Sequence, residues 1–271
     1  MDTRPIRFAS FLGDNAFEFY KQVVAYLGNA TGLPTEMAVI PSSDQDRAIE
    51  TGQIEAAFSC GLIYVWKSAL TPSPVRLIAA PVMPGKRYAS QPVYFSDVIV
   101  RAASSYHTFD DLRGAAFAYN ETVSFSGYVS LNHHLHTTGR TMVSFFGRTQ
   151  ATGSHARSMD RVEAGDADCA AIDSVVLEME LRGRPERAAA FRVVTSLGPS
   201  AMPPVIATPA LPEAARRGLA QALADMHTTE PGRAVLDFGG IQRFAIVEDS
   251  DYDDIRKKLR ELEEVMLSAD A

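Results

Sequence analysis

Short apolar runs alternate with stretches of helical period along the whole chain, the pattern of strands feeding helices in an α/β protein with a largely parallel sheet. Residues 6–9 (Ile-Arg-Phe-Ala) read as a first strand. A helix is expected over 14–29, where Phe17, Tyr20, Val24 and Leu27 fall on one face at spacings of three and four. Thr31-Gly32-Leu33-Pro34 stops it. Strands follow at 36–40, 56–59 and 76–82, with a short capped helix reaching Glu50.

The pattern restarts at Val98. Strands are expected at 98–101, 115–119, 143–146, 169–173 and 191–196, and helices at 127–137, 154–163 and 175–181. Pro199, Pro203 and Pro204 mark a crossing segment, after which helices are expected over 213–226 and 251–267. The restart and the proline break divide the chain into one lobe of residues 1–94 with 202–271 and an inserted lobe of residues 95–201. Two strands crossing between the lobes would act as a hinge, with a ligand cleft at the junction.

Composition narrows the field. The chain has 271 residues, too many for one ordinary core, and 46% of them are hydrophobic, too many for a disordered segment. Twenty-six basic residues stand against 33 acidic ones, and the net charge of −7 argues against a nucleic-acid partner. No run approaches the ~20 apolar residues of a membrane span. Residues 1–5 lead into the first strand without an apolar leader. A native start at Met1 would place the protein in the cytoplasm; a removed leader would make it periplasmic or lipid-anchored outside the cytoplasm.

Several kinds of chemistry lack their residues. His133, His134 and His136 cluster, but positions one and three apart on a helix do not compose a metal site, so a solvated helix face is expected and no metal or other cofactor. Neither a dinucleotide nor a phosphate loop of the nucleotide-binding kinds occurs, and Ser-Phe-Ser-Gly at 124–127 does not make a nucleophile elbow. Cys60 and Cys169 read as buried reduced thiols. Arg256, Lys257, Lys258 and Arg260 interleave with Glu261, Glu263 and Glu264 on an exterior, salt-bridged helix.

The informative stretch is Asn120-Glu121-Thr122-Val123-Ser124-Phe125-Ser126-Gly127-Tyr128, which follows a strand and opens a helix. Helix starts offer free N–H groups and partial positive charge. Ser124 and Ser126 add hydroxyls, and Gly127 admits close backbone approach, so the segment suits an oxyanion. A plain helix cap has the same spelling. Gly153-Ser154-His155 opens a second helix in the same lobe and brings an imidazole. Two such starts on adjacent units would converge at the carboxyl edge of one sheet.

The ordered set of these segments resembles the phosphate/phosphonate-binding family of type II periplasmic binding proteins, the capture components of ABC importers. The matching pieces span roughly residues 6–245. They are Gly52-Gln53-Ile54-Glu55-Ala56-Ala57-Phe58 with Gly61 and Tyr64; Tyr94-Phe95-Ser96-Asp97-Val98-Ile99-Val100 with Asp111-Leu112-Arg113-Gly114; Ser124 to Tyr128; Ser154-His155; Gly165 to Asp173; and Gly198-Pro199-Ser200 with Pro203-Pro204.

The resemblance implies a two-lobed α/β fold and a monomer that closes on a small anionic ligand, a phosphonate, phosphate or related oxyanion, and delivers it to a membrane permease. It implies that Ser124, Ser126, His155 and the Gly127 amide hold the ligand's oxygens, that Tyr64 and Tyr94 line the cleft, and that Asp173 meets an amino group if it does not cap the next helix. Phe125 stands where the family carries a middle hydroxyl; pointed into the cleft it would disfavour phosphate, pointed into the core it would leave anion binding intact. The competing expectation is a cytoplasmic enzyme, a lyase or decarboxylase, or a sensor on the same fold acting on a small organic acid.

Overall fold

The computed structural model describes residues 4–269, and side chains as far as 263. The chain divides into two units, Met1–Val93 with Ala201–Asp253, and Tyr94–Ser200 with Asp254–Ala271.

The first unit contains β1 (Ile6–Ser10), α1 (Phe17–Thr31), β2 (Thr35–Ala38), α2 (Gln45–Glu50), β3 (Ala56–Phe58), α3 (Gly61–Ser68) and β4 (Arg76–Val82). In α1 the buried side chains include Tyr20, Val24 and Leu27 as expected, with Phe19 and Val23 added; Phe17 lies at the margin. Gly32, left-handed at φ +69°, ends the helix by donating its N–H to the Gly28 carbonyl. Tyr20 stacks on Phe58 at 4.1 Å, and Phe58 on Phe8 at 6.1 Å, which fixes α1 on the sheet.

The second unit opens with β5 (Val93–Arg101), which starts five residues before the expected strand, and continues with β6 (Ala116–Tyr119), a turn at Phe125–Val129 running into α4 (Ser130–Thr137), and α5 (Met142–Phe145). Then come β7 (Arg148–Ala151), α6 (His155–Ala164), β8 (Cys169–Asp173), α7 (Ser174–Gly183) and β9 (Phe191–Ala201). The chain returns to the first unit for β10 (Val205–Ala207), α8 (Glu213–Asp225), α9 (Glu230–Gly239) and β11 (Arg243–Ala245), and ends in α10 (Asp253–Ala269).

Both sheets are mixed rather than largely parallel. The first has order β11-β4-β10-β3-β1-β2, with β10 antiparallel to β3 and β4, and β11 antiparallel to β4. The second has order β7-β6-β8-β5-β9, with β6 parallel to β7 and β8, and β5 antiparallel to β8. Strand alternation sorts the second core into two layers. Val98, Val100, Phe117, Cys169 and Ala171 face Leu131, Leu135 and Phe145; Ile99, Ala118, Ala170 and Ile172 face Met159, Val162 and Leu177.

Three expectations fail for identifiable reasons. Residues 143–146 form no strand: Thr141 and Ser144 make a reciprocal capping box that winds Met142–Phe145 into one helical turn, and the strand lies in the polar segment Arg148–Ala151. The segment 251–267 does not stay with the first lobe. From Asp254 onward it belongs to the second unit, where Glu261 meets His133 at 2.6 Å and Lys258 donates to Ser200 Oγ at 2.8 Å. The chain therefore passes between the units three times, not twice. Within α10 Lys257 pairs with Glu261, as the interleaved charges suggest, and Lys258 pairs with Asp254, but Lys258 is only 19% exposed.

Candidate anion-binding site

Because β6 runs parallel to both of its neighbours, the carboxyl ends of β7, β6 and β8 share one edge of the second sheet. Each strand there hands the chain to a helical start: β6 to the Phe125 turn, β7 to His155, and β8 to Ser174. The expected convergence of two donor-rich starts is thus a consequence of strand order, and a third start joins them.

The turn at Phe125–Val129 is wider than an α-helical one, since Val129 N–H reaches the Ser124 carbonyl five residues back at 3.1 Å. Ser124 caps it, its Oγ accepting the Gly127 N–H at 3.1 Å. That amide, expected as a donor to ligand, is engaged by the cap. Gly127 is buried for a spatial reason. A Cβ there would stand 1.8 Å from Asn120 Oδ1, a buried oxygen with no hydrogen-bond partner. Ser126 is 4% exposed; Ser96 Oγ donates to its carbonyl at 2.5 Å. Phe125 is 1% exposed and packs beside Tyr94, itself buried, with ring centres 6.5 Å apart. The ring is buried beside Tyr94 and Lys258 of the same unit.

His155 opens α6, after Ser154, whose Oγ accepts the Arg157 N–H at 3.2 Å. Its Nε2 lies 3.4 Å from Ser126 Oγ, so the two helix starts meet through these side chains. Nδ1 is sealed from solvent without a well-formed hydrogen bond. Burial holds the imidazole at about 4, a pull that the Ala171 backbone only partly opposes, so the ring is neutral near pH 7.

Asp173 resolves as a cap: Oδ1 accepts the Val175 and Val176 N–H groups at 2.8 and 3.3 Å. Burial nevertheless raises its carboxyl to about 7, against those two hydrogen bonds and with help from the Asp97 and Glu178 charges. Tyr64 belongs to the first unit, where it is buried on α3, donates its hydroxyl to Asp249 Oδ1 at 2.6 Å and tilts on Tyr252. The structure therefore brings Ser124, Phe125, Ser126, Gly127, His155 and Tyr94 together, and sets Asp173 at the same strand edge.

The histidine cluster on α4 is half-buried rather than solvated: His133 pairs with Glu261, and His134 meets the Phe109 ring edge-on at 4.7 Å. Among the described residues no group of His, Cys, Asp and Glu could hold a metal. Neither cysteine is in a disulfide; Cys169 is buried as expected, whereas Cys60 is half-buried. No helix of the described residues is long and apolar enough to cross a membrane.

The sequence matches the family described as the periplasmic substrate-binding protein of phosphonate ABC transporters, over residues 8–252. The chain belongs to that family. The binding protein is accordingly not an enzyme, and its family works outside the cytoplasm. No curated protein sequence matches it.

Solved structures agree on the type II periplasmic fold. A binding-protein component of an ABC phosphonate transporter from Pseudomonas aeruginosa superposes with a TM-score of 0.81 at 17% identity, covering 95% of this chain and 88% of that one. PhnD1 from Prochlorococcus marinus, solved with methylphosphonate, gives 0.82 at 16% identity over 97% and 99%. A Xanthomonas citri protein solved with ATP gives 0.72 at 15% over 96% and 98%. Identities this low establish the shared fold.

Asn120, Ser96 and Lys258 were not expected around the site. Asn120 opens the informative stretch and Ser96 stands inside a matching segment, yet nothing in their spacing singles them out. Lys258 reaches the Phe125 ring at 5.3 Å only because α10 joins the second unit.

Proposed function

We propose that the binding protein captures a phosphonate, or phosphate, as a monomer and delivers it to the membrane permease of an ABC importer. In this reading the ligand's oxygens are held by the Ser124 and Ser126 hydroxyls and by His155. The observation that carries it is the 3.4 Å approach of Ser126 Oγ to His155 Nε2 across two helix starts. Hydroxyls and a neutral imidazole at the positive ends of helices suit an oxyanion that must later be released. A ligand that fails to engage them leaves buried polar groups unmatched, at about 1–3 kcal/mol each, which is a source of selectivity. Asp173, committed to its helix cap, would contribute to the ligand only through its charge state.

Calorimetric titration with methylphosphonate, ethylphosphonate, phosphate and sulfate tests the proposal. Ser126→Ala and His155→Ala are expected to weaken binding of the preferred anion by about tenfold or more, the loss of one or two polar contacts, with little change in the melting temperature of the ligand-free protein. Wild-type affinity in both variants would refute the site.

A further inference from the structure

Phe125 stands in the middle of the proposed anion-binding turn, and a cation stands against its ring. Lys258 Nζ lies 5.3 Å from its centre, within the range of a cation–π contact. The ammonium is held there by Ser200 Oγ at 2.8 Å, itself 3% exposed, and by Asp254 Oδ2 at 3.4 Å. The helix that carries it grips the other end of the same structural piece, since Glu261 meets His133 at 2.6 Å on α4, which continues directly from the turn.

This placement runs against the usual electrostatics of helices. A cation beside the first residue of a helix start meets the positive end of the backbone dipole, and a partly desolvated ammonium is costly without compensation. Asp254 and Ser200 meet the second burden, and the first falls when an anion docks on the turn. Lys258 thus sets its ammonium, paired with Asp254, against the ring of a turn whose other polar groups are neutral.

Resting on the proposed anion-binding function, we infer that Lys258 is a positioning and charge-supplying residue for ligand capture: it fixes Phe125, and with it Ser124 and Ser126, while drawing an oxyanion to the turn.

The test compares Lys258→Met, Lys258→Arg and Ser126→Ala by calorimetric titration with methylphosphonate and with phosphate, at low and high salt. Lys258→Met keeps an apolar stem and removes the charge. It is expected to lose about tenfold in affinity, the scale of one partly desolvated cation contact, to show a shallower dependence on salt than wild type, and to melt within about 2 °C of it without ligand, as expected where folded-state packing is kept. Lys258→Arg is expected to restore most of the affinity. Wild-type affinity and salt dependence in Lys258→Met, with Ser126→Ala impaired, would overturn the role of Lys258 and leave the site standing. Equal losses in Lys258→Met and Lys258→Arg, together with a lowered ligand-free melting temperature, would also overturn it, by reducing the contact to packing. Unimpaired binding in Ser126→Ala would refute the site itself.

Discussion

At Asp173 one carboxylate answers two demands. As an N-cap it accepts two backbone N–H groups, which favour its charged form; as a buried group near Asp97 and Glu178 it is pushed to about 7. Burial wins. The folded state therefore binds this proton more tightly than the unfolded chain does, so the contribution to stability falls as pH rises from about 4 to about 7. Asn keeps the cap acceptor and cannot ionise. Asp173→Asn is expected to leave stability at pH 4 nearly unchanged and to raise it at pH 8, read from denaturant midpoints at the two pH values. His155 has the opposite sign: its lowered value, about 4, means that its contribution is intact above pH 6.5 and is lost as pH falls toward 4. The sequence offered a cap and a ligand contact for Asp173 as equal alternatives, because both use an acidic residue between a strand and a helix. The two hydrogen bonds show that the cap is made.

The elements around the site show how a local feature overrides a local preference. Met142-Val143-Ser144-Phe145-Phe146 is a plausible strand by residue type, but the Thr141–Ser144 capping box makes it a helical turn, with Val143 left 89% exposed. The turn at Phe125–Val129 depends in the same way on one contact that spacing does not reveal. Gly127 is needed because Asn120 fills the space a side chain would take. Gly127→Ala is expected to destabilise the protein by about 2 kcal/mol, as overpacking at a closed position does, and to abolish methylphosphonate binding by displacing the turn. Adding Asn120→Gly should recover much of the stability. Denaturant unfolding of the single and double variants measures this, and no recovery in the double variant would locate the strain elsewhere.

For the molecule as a whole, the division of the chain matters most. The terminal helix follows directly on residues of the first unit yet belongs with the second, through Glu261–His133, Lys258–Ser200 and the Phe125 ring. A chain ending at Asp253 is expected to lose several degrees of melting temperature, as removal of a docked helix does in a chain of this size. In calorimetry the loss should fall on the second unit's unfolding, accompanied by weakened anion binding; an unchanged thermogram would show that the helix contributes nothing. By itself the sequence determined the α/β class, most of the strands and helices, the family, and the turn and histidine that gather at one sheet edge. Those features follow from periodicity and from short contiguous segments, which a chain carries wherever it folds. Tertiary structure alone decided the antiparallel strands, the burial of Phe125, the engagement of the Gly127 amide, the cap at Asp173 and the home of the last helix. Each of these is a choice between partners distant in sequence, made by packing and by the cost of burying polar groups, and no local pattern encodes it.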